Sequence, residues 1–247
     1  MNTYHRIACA AGLVLATLQV QAQGMNDLLK ATDRYRMSAT HMQVDTQITT
    51  FHTDGSPDKE RRYTVFAQGN QQSLVLMQSP AEKGQKVLML KDDFWLLMPN
   101  SQRPLRITPM QKLLGDASTG DIATMSWADD YNAQLVAEES CGDVACTHLS
   151  LSAARKGVTY QRIELWVGNV KREPIKADLY VQSDKLAKSA RFVMDKPTAP
   201  TAVAEMVLLD RLSNHKETRV RYLARKERTV PDAWLNPMFL ARNPSLD

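Results

Sequence analysis

A chain of 247 residues, 43% hydrophobic and 23% charged, can bury a sizeable core as one large all-β domain or two small ones. No linker interrupts it, so we read one domain. The formal net charge of +4 is too mild to call for a nucleic-acid partner.

The N-terminus carries the marks of a targeting segment. His5 and Arg6 precede an apolar stretch, Ile7 to Leu18, that is too short to span a bilayer. Val20-Gln21-Ala22 then places small residues where a signal peptidase reads. We assign residues 1–22 as a signal peptide cleaved after Ala22, residues 23–247 as the mature domain, and the periplasm as its compartment. Cys9 lies within the apolar stretch, too early for a lipid anchor. Beyond residue 22 the apolar runs are only a few residues long.

A short amphipathic helix is expected over Asn26 to Arg36, with Leu28, Leu29, Thr32 and Tyr35 on one face. Met42 to His52 alternates, with Met42, Val44, Thr46, Ile48 and Thr50 on one side of a strand. After a turn at Asp54-Gly55-Ser56-Pro57, Arg61 to Gln68 alternates again. The next three strands differ in kind. Ser73 to Met77, Val87 to Leu90 and Phe94 to Met98 are apolar on both faces. An antiparallel sheet with one wet face reads as alternation, so these three need cover on both sides. The N-terminal helix is one candidate cover. A second layer, or a cavity that holds a ligand, is the other.

From Pro109 to Tyr131 the strand pattern breaks. Pro109 to Gly115 reads as one or two helical turns ended by glycine, and Asp121 to Trp127 as another short helix. Met110, Leu113, Leu114, Ile122, Met125 and Trp127 make this insert apolar, as suits a lid over a greasy opening. Strands then resume to Ala224, and Pro231 to Leu240 reads as a short terminal helix. About a dozen strands joined by tight turns indicate a mainly β sandwich or barrel.

Cys141 and Cys146 are the two cysteines after residue 22, and in an oxidising compartment such a pair reads as a disulfide. The motifs of serine hydrolases, P-loops, dinucleotide folds and zinc proteases are absent. His41, His52, His148 and His215 lie on separate segments without ligand spacing, so no metal site is expected. The acid pairs Asp92-Asp93, Asp129-Asp130 and Glu138-Glu139 read as solvated charges. The basic run Arg219, Arg221, Arg225, Lys226 and Arg228 reads as a solvated edge or surface strand, or as an attractor for an anionic head group or acidic partner. Methionines gather in the doubly apolar strands and the insert, as in adaptable apolar surfaces.

Ser79-Pro80-Ala81-Glu82-Lys83-Gly84, then Val87-Leu88-Met89-Leu90, then Asp92-Asp93-Phe94-Trp95-Leu96-Leu97-Met98-Pro99 resemble the LolA-like family of outer-membrane lipoprotein-sorting proteins. So do Arg103 to Ile107, Trp127-Ala128-Asp129-Asp130, and the tail Pro231-Asp232-Ala233-Trp234-Leu235-Asn236-Pro237. The likeness is to the broader branch of that family more than to the housekeeping lipoprotein carrier. It implies an open antiparallel half-barrel whose concave face is plugged by short helices and binds acyl chains. The expected cavity and lid residues are Leu74, Leu76, Val87, Met89, Trp95, Leu97, Met110, Leu113, Leu114, Ile122, Met125 and Trp127. The expected function is carriage of lipid or lipoprotein acyl chains toward the outer membrane, with no enzymatic step and no cofactor. An inner-membrane transporter and an outer-membrane acceptor are the expected partners. The competing readings are an accessory subunit of an RND-class exporter and an envelope sensor that binds a regulatory protein.

Overall fold

The computed structural model describes residues 23–69, 71–123, 126–209 and 217–246. The signal-peptide assignment, Met125 and His215 lie outside them. None of the described helices is long and apolar enough to cross a membrane.

After helix α1 (23–33) come β1 (His41–Phe51), β2 (Pro57–Gln68), β3 (Gln72–Met77), β4 (Lys86–Leu90), β5 (Asp93–Leu97) and β6 (Leu105–Ile107). A small insert follows: β7 (Lys112–Leu114), β8 (Ala117–Ser118) and α2 (Thr119–Ala123). The chain continues through β9 (Tyr131–Cys141), β10 (Val144–Ala153), β11 (Arg162–Gly168), β12 (Pro174–Tyr180), β13 (Leu186–Met194), β14 (Val203–Leu209) and β15 (Glu217–Glu227). A 3-10 turn (Asp232–Leu235) and α3 (Pro237–Leu240) end it.

Thirteen strands form one antiparallel sheet in the order β6-β5-β4-β3-β2-β1-β15-β14-β13-β12-β11-β10-β9. It curves without closing into a barrel, as expected from the resemblance. Tight turns build each wing from sequential neighbours, and β1 pairs with β15 to join the two wings. The period-2 pattern sets the register. Met42, Val44, Thr46, Ile48 and Thr50 of β1 all point into the concave side and are buried.

Both faces of β3 to β5 are covered, which explains their lack of alternation. Val75, Val87, Met89 and Phe94 face the concave core, with Leu28 and Leu29 of α1 in the same cluster. Leu74 pairs with Leu88, and Leu88 with Trp95, on the opposite face. The second layer there is the C-terminal tail. Val230, Trp234 and Leu240 pack with Phe66, Leu74, Leu88 and Leu97. Trp234 meets Phe66 edge-on at 5.4 Å, and the Arg228 guanidinium lies over both rings. Asn236 caps α3, accepting from the Met238 and Phe239 amides.

Three sequence expectations are corrected. Pro109 to Gly115 is not helical. Its Lys112–Leu114 part pairs with β8 in a tight hairpin, which tertiary packing favours over local helix propensity. Gly115 sits at φ 55°, and a Cβ there would lie 2.4 Å from Thr50 and 2.5 Å from Thr218. The basic strand β15 is central in the sheet, which removes the edge reading and leaves that of a surface strand. Its Arg219 and Arg221 pair with Glu205 and Glu217, and Arg225 donates to the Val203 carbonyl. The terminal helix is split in two at Asn236. The Cys141–Cys146 disulfide is present, stapling the β9–β10 turn across a Cα separation of 5.9 Å.

Candidate functional site

The concave face is an apolar floor running from Val87 and Met89 in one wing to Leu149, Ile163 and Phe192 in the other. The insert fills it as a plug. Ala117, Ile122 and Ala123 are fully buried there, and Met110, Leu113 and Leu114 pack against the same core half-buried. What space remains under the plug is about 40 Å³, between Trp127, Ile163, Leu179, Ala190, Phe192 and Met206. Ligand cavities run to roughly 300–1,000 Å³, so the plug leaves far less space beneath it than a ligand cavity has.

One polar cluster secures the plug to this greasy floor. Lys188 points inward because it shares its face of β13 with Ala190 and Phe192. Its Nζ donates to Asp121 Oδ2 at 2.7 Å and to the Asp116 carbonyl at 2.5 Å. Asp121 also accepts from the amide and hydroxyl of Ser118, each at 2.8 Å, in the manner of a capping box at the start of α2. Its other oxygen accepts from the Tyr160 hydroxyl at 2.7 Å. Burial works against ionising Asp121, but Lys188, Tyr160 and Ser118 outweigh it and hold the carboxyl below its usual range. Burial and the adjacent Asp121 charge push the Tyr160 phenol well up. Asp116 adds a tie to β15, its amide donating to the Thr218 hydroxyl at 3.0 Å.

The end of the insert is fastened to α1. Asp33 accepts from the Ala128 amide at 2.8 Å and the Ser126 hydroxyl at 3.1 Å. Arg36 lies 4.0 Å over the Trp127 ring, which meets Phe192 edge-on. Burial raises the Asp33 pKa despite the nearby Arg36.

A clasp joins the two wings across the mouth of the hollow. Arg155 donates to Asp92 at 2.5 Å and to Asp130 at 2.7 Å. Asp92 also accepts from the Gly157 amide at 3.0 Å. A side chain at residue 157 would sit 2.2 Å from the Asp92 Cα, so this approach needs glycine. Gln71 and Lys91, both at positive φ, complete the clasp, with Gln71 donating to Asp130. Arg155 lowers the Asp92 pKa, whereas burial raises that of Asp130. Asp130 is therefore buried and not the solvated turn charge the sequence indicates, whereas Asp92 stays exposed on its turn while it pairs with Arg155. Beside the clasp lies an open recess of about 340 Å³ with Met37, Ala67 and Met89 on one side and Gln71, Asp130 and Arg155 on the other.

Comparison with known proteins bears on this arrangement. A family model described only as an uncharacterized protein matches residues 69–242. A search of curated proteins returns no match. Among solved structures, a LolA superfamily protein from Nitrosomonas europaea is 31% identical, with a TM-score of 0.78 over 87% of this chain and 97% of that one. The chain belongs to the LolA superfamily. Two further structures share the superfamily fold. A DUF1329 family protein from Desulfovibrio piger is 20% identical, with a TM-score of 0.70 over 87% of this chain and 97% of its own. A putative outer membrane lipoprotein-sorting protein domain from Vibrio parahaemolyticus is 15% identical, with a TM-score of 0.68 over 88% and 98%.

Within this LolA-superfamily fold the residues singled out from the sequence divide between two faces. Val87, Met89, Met110, Leu113, Leu114, Ile122 and Trp127 come together on the concave side. Leu74, Leu76, Trp95 and Leu97 lie on the convex side with the C-terminal tail. Trp127 is buried and clamped by Arg36 and Phe192, so it anchors the plug and is not an exposed lid residue. The sequence reading missed Lys188, Asp121, Tyr160 and Arg155. For Lys188 the signal was its phase with Ala190 and Phe192. Asp92, Asp130 and Arg155 come from separate segments, and no local pattern joins them.

Proposed function

We propose that this LolA-superfamily chain is a periplasmic carrier. It takes acyl chains of lipids or lipoproteins into the concave hollow and moves them toward the outer membrane. One observation carries the reading: an apolar floor spanning both wings is occupied by a plug whose own charges hold it in place. A plug joined to the floor by a buried ion pair has one defined seat and a discrete released state. A purely apolar core would need no such fastening.

The exchange is energetically feasible. Each methylene buried contributes about 0.8 kcal/mol, so an acyl chain can offset the apolar contacts the plug gives up. Refolding of the plug then favours release. This reading needs no covalent step and no cofactor. It calls for an inner-membrane transporter that loads the hollow and an outer-membrane acceptor that empties it.

The test is native mass spectrometry of the protein purified from periplasm without detergent, followed by lipid extraction. A discrete added mass that yields acyl chains is the expected result. A clean apo mass, together with no uptake of a fluorescent fatty-acyl probe, would sink the carrier reading.

A further inference from the structure

One rim of the sheet has a feature that the hollow does not use. The β9–β10, β11–β12 and β13–β14 turns all lie at this end, since Cys146 pairs with Gly168, Val167 with Pro174 and Met194 with Val203. The disulfide staples the first turn, and the Ala145 carbonyl there accepts from the Asn169 amide of the second at 3.0 Å. The second turn is thus held firmly, yet it presents Val170 at its tip, 90% exposed. Val144, on the stapled turn beside it, is 46% exposed.

Cations surround that tip. Lys171 and Arg172 follow Val170 directly, and Arg172 is held at φ 63°. Arg34 and Tyr35 at the end of α1 join them around a hollow of about 270 Å³. Tyr35 is fixed there, its hydroxyl donating to the Lys171 carbonyl and its own carbonyl accepting from the Val203 amide at 2.8 Å. Lys196 lies on the third turn, and the Lys171 Nζ donates to the Pro197 carbonyl on the same turn. Two of the nearby acids are engaged locally. Asp195 caps the Thr201 and Ala202 amides, and Glu138 accepts from Thr147 and Asn169. Glu173 is half-buried, and Asp143 is exposed on the stapled turn.

We propose that this rim is a docking surface for an anionic lipid bilayer, with Val170 entering the interface and Arg34, Lys171, Arg172 and Lys196 facing the lipid phosphates. A free phosphate would use the cations and leave Val170 idle. An aliphatic residue at the tip of a rigid turn, ringed by long basic side chains and a tyrosine, fits the boundary between acyl chains and head groups. Near an anionic leaflet each basic residue is worth about fivefold in partitioning. The surface is distinct from the hollow and stands whether or not the hollow carries acyl chains.

The test is co-sedimentation with vesicles of phosphatidylglycerol and phosphatidylethanolamine, against vesicles of phosphatidylcholine alone. The expected result is binding to the anionic vesicles, weakened by salt, and little binding to the neutral ones. Val170→Asp and Arg172→Glu should each lower it about fivefold or more, with unchanged circular dichroism. Lys185→Glu, at the opposite end of the sheet, should lower it far less. No binding, equal binding to neutral vesicles, or equal losses from Lys185→Glu and Arg172→Glu would overturn the proposal. So would full binding by Val170→Asp, or displacement by millimolar inorganic phosphate at constant ionic strength, which would assign the recess between Arg34 and Arg172 to a free anion.

Discussion

Strands β3 to β5 carry two covers of opposite character. On the convex face the tail is held mainly by aromatic and aliphatic packing, with Trp234 against Phe66 and Leu240 in the same cluster, and by the Lys86 Nζ donating to Asn243 at 2.6 Å. On the concave face the plug meets an apolar floor but is fastened by Lys188, Asp121 and Asp116. Apolar packing is non-directional and adds up with area, so it suits a permanent layer. A buried ion pair gives little net stability but defines one position, so it suits a part that leaves and returns. The difference lies in the kind of charge contact: a carboxylate–ammonium pair fastens the concave cover, whereas the cations of the convex one, Lys86 and Arg228, meet an amide oxygen and aromatic faces.

The largest effect should come from breaking the permanent cover. Trp234→Ala should cost about 3–5 kcal/mol in denaturant unfolding. Acyl-probe affinity of the fraction that stays folded should not change. If affinity falls in step with the tail, the convex face holds the ligand and the comparison fails.

Next in size is Lys188→Met, which leaves Asp121 buried without its cation and should cost about 3 kcal/mol. Adding Asp121→Asn should recover most of that loss in the same unfolding assay. Stopped-flow uptake of the acyl probe should be faster in the single variant than in the native protein. Unchanged uptake would mean that the plug does not gate the hollow.

The smallest effect is in pH. Asp121 has a depressed pKa in the fold, so its contribution is present above its unfolded value and is lost as pH falls through the folded one. Asp33 has a raised pKa, so its contribution is complete below its unfolded value and is lost as pH rises through the folded one. Asp33→Asn should therefore be relatively more stable near neutral pH than at pH 3. Unfolding midpoints of the two proteins across that range measure it, and parallel curves would count against it.

Much of the fold was legible because the pleat writes itself into the sequence. Alternation from Met42 to Thr50 marked a one-sided strand, and its loss from Ser73 to Met98 marked a region covered twice. What alternation cannot say is which face is which. Leu74 and Val75 look equivalent in the sequence, yet one lies under the tail and the other in the core. The hairpin at Lys112 was hidden because Met110 to Leu114 suits a helix locally, and only packing against β1 and β2 decides otherwise. The clasp was illegible for a different reason. Asp92 and Arg155 are 63 residues apart, and it is the curvature of the whole sheet that brings them together.

That curvature has a mechanical consequence. A closed barrel has its girth fixed by strand number and stagger. Here β6 and β9 end the sheet without pairing to each other. No ladder of backbone bonds sets the circumference, which follows instead from what lies inside and from the Asp92–Arg155–Asp130 tie. The protein is in this respect a spring clip rather than a tube. Its girth is therefore set by side-chain contacts across the concave face and not by a closed ladder of backbone bonds.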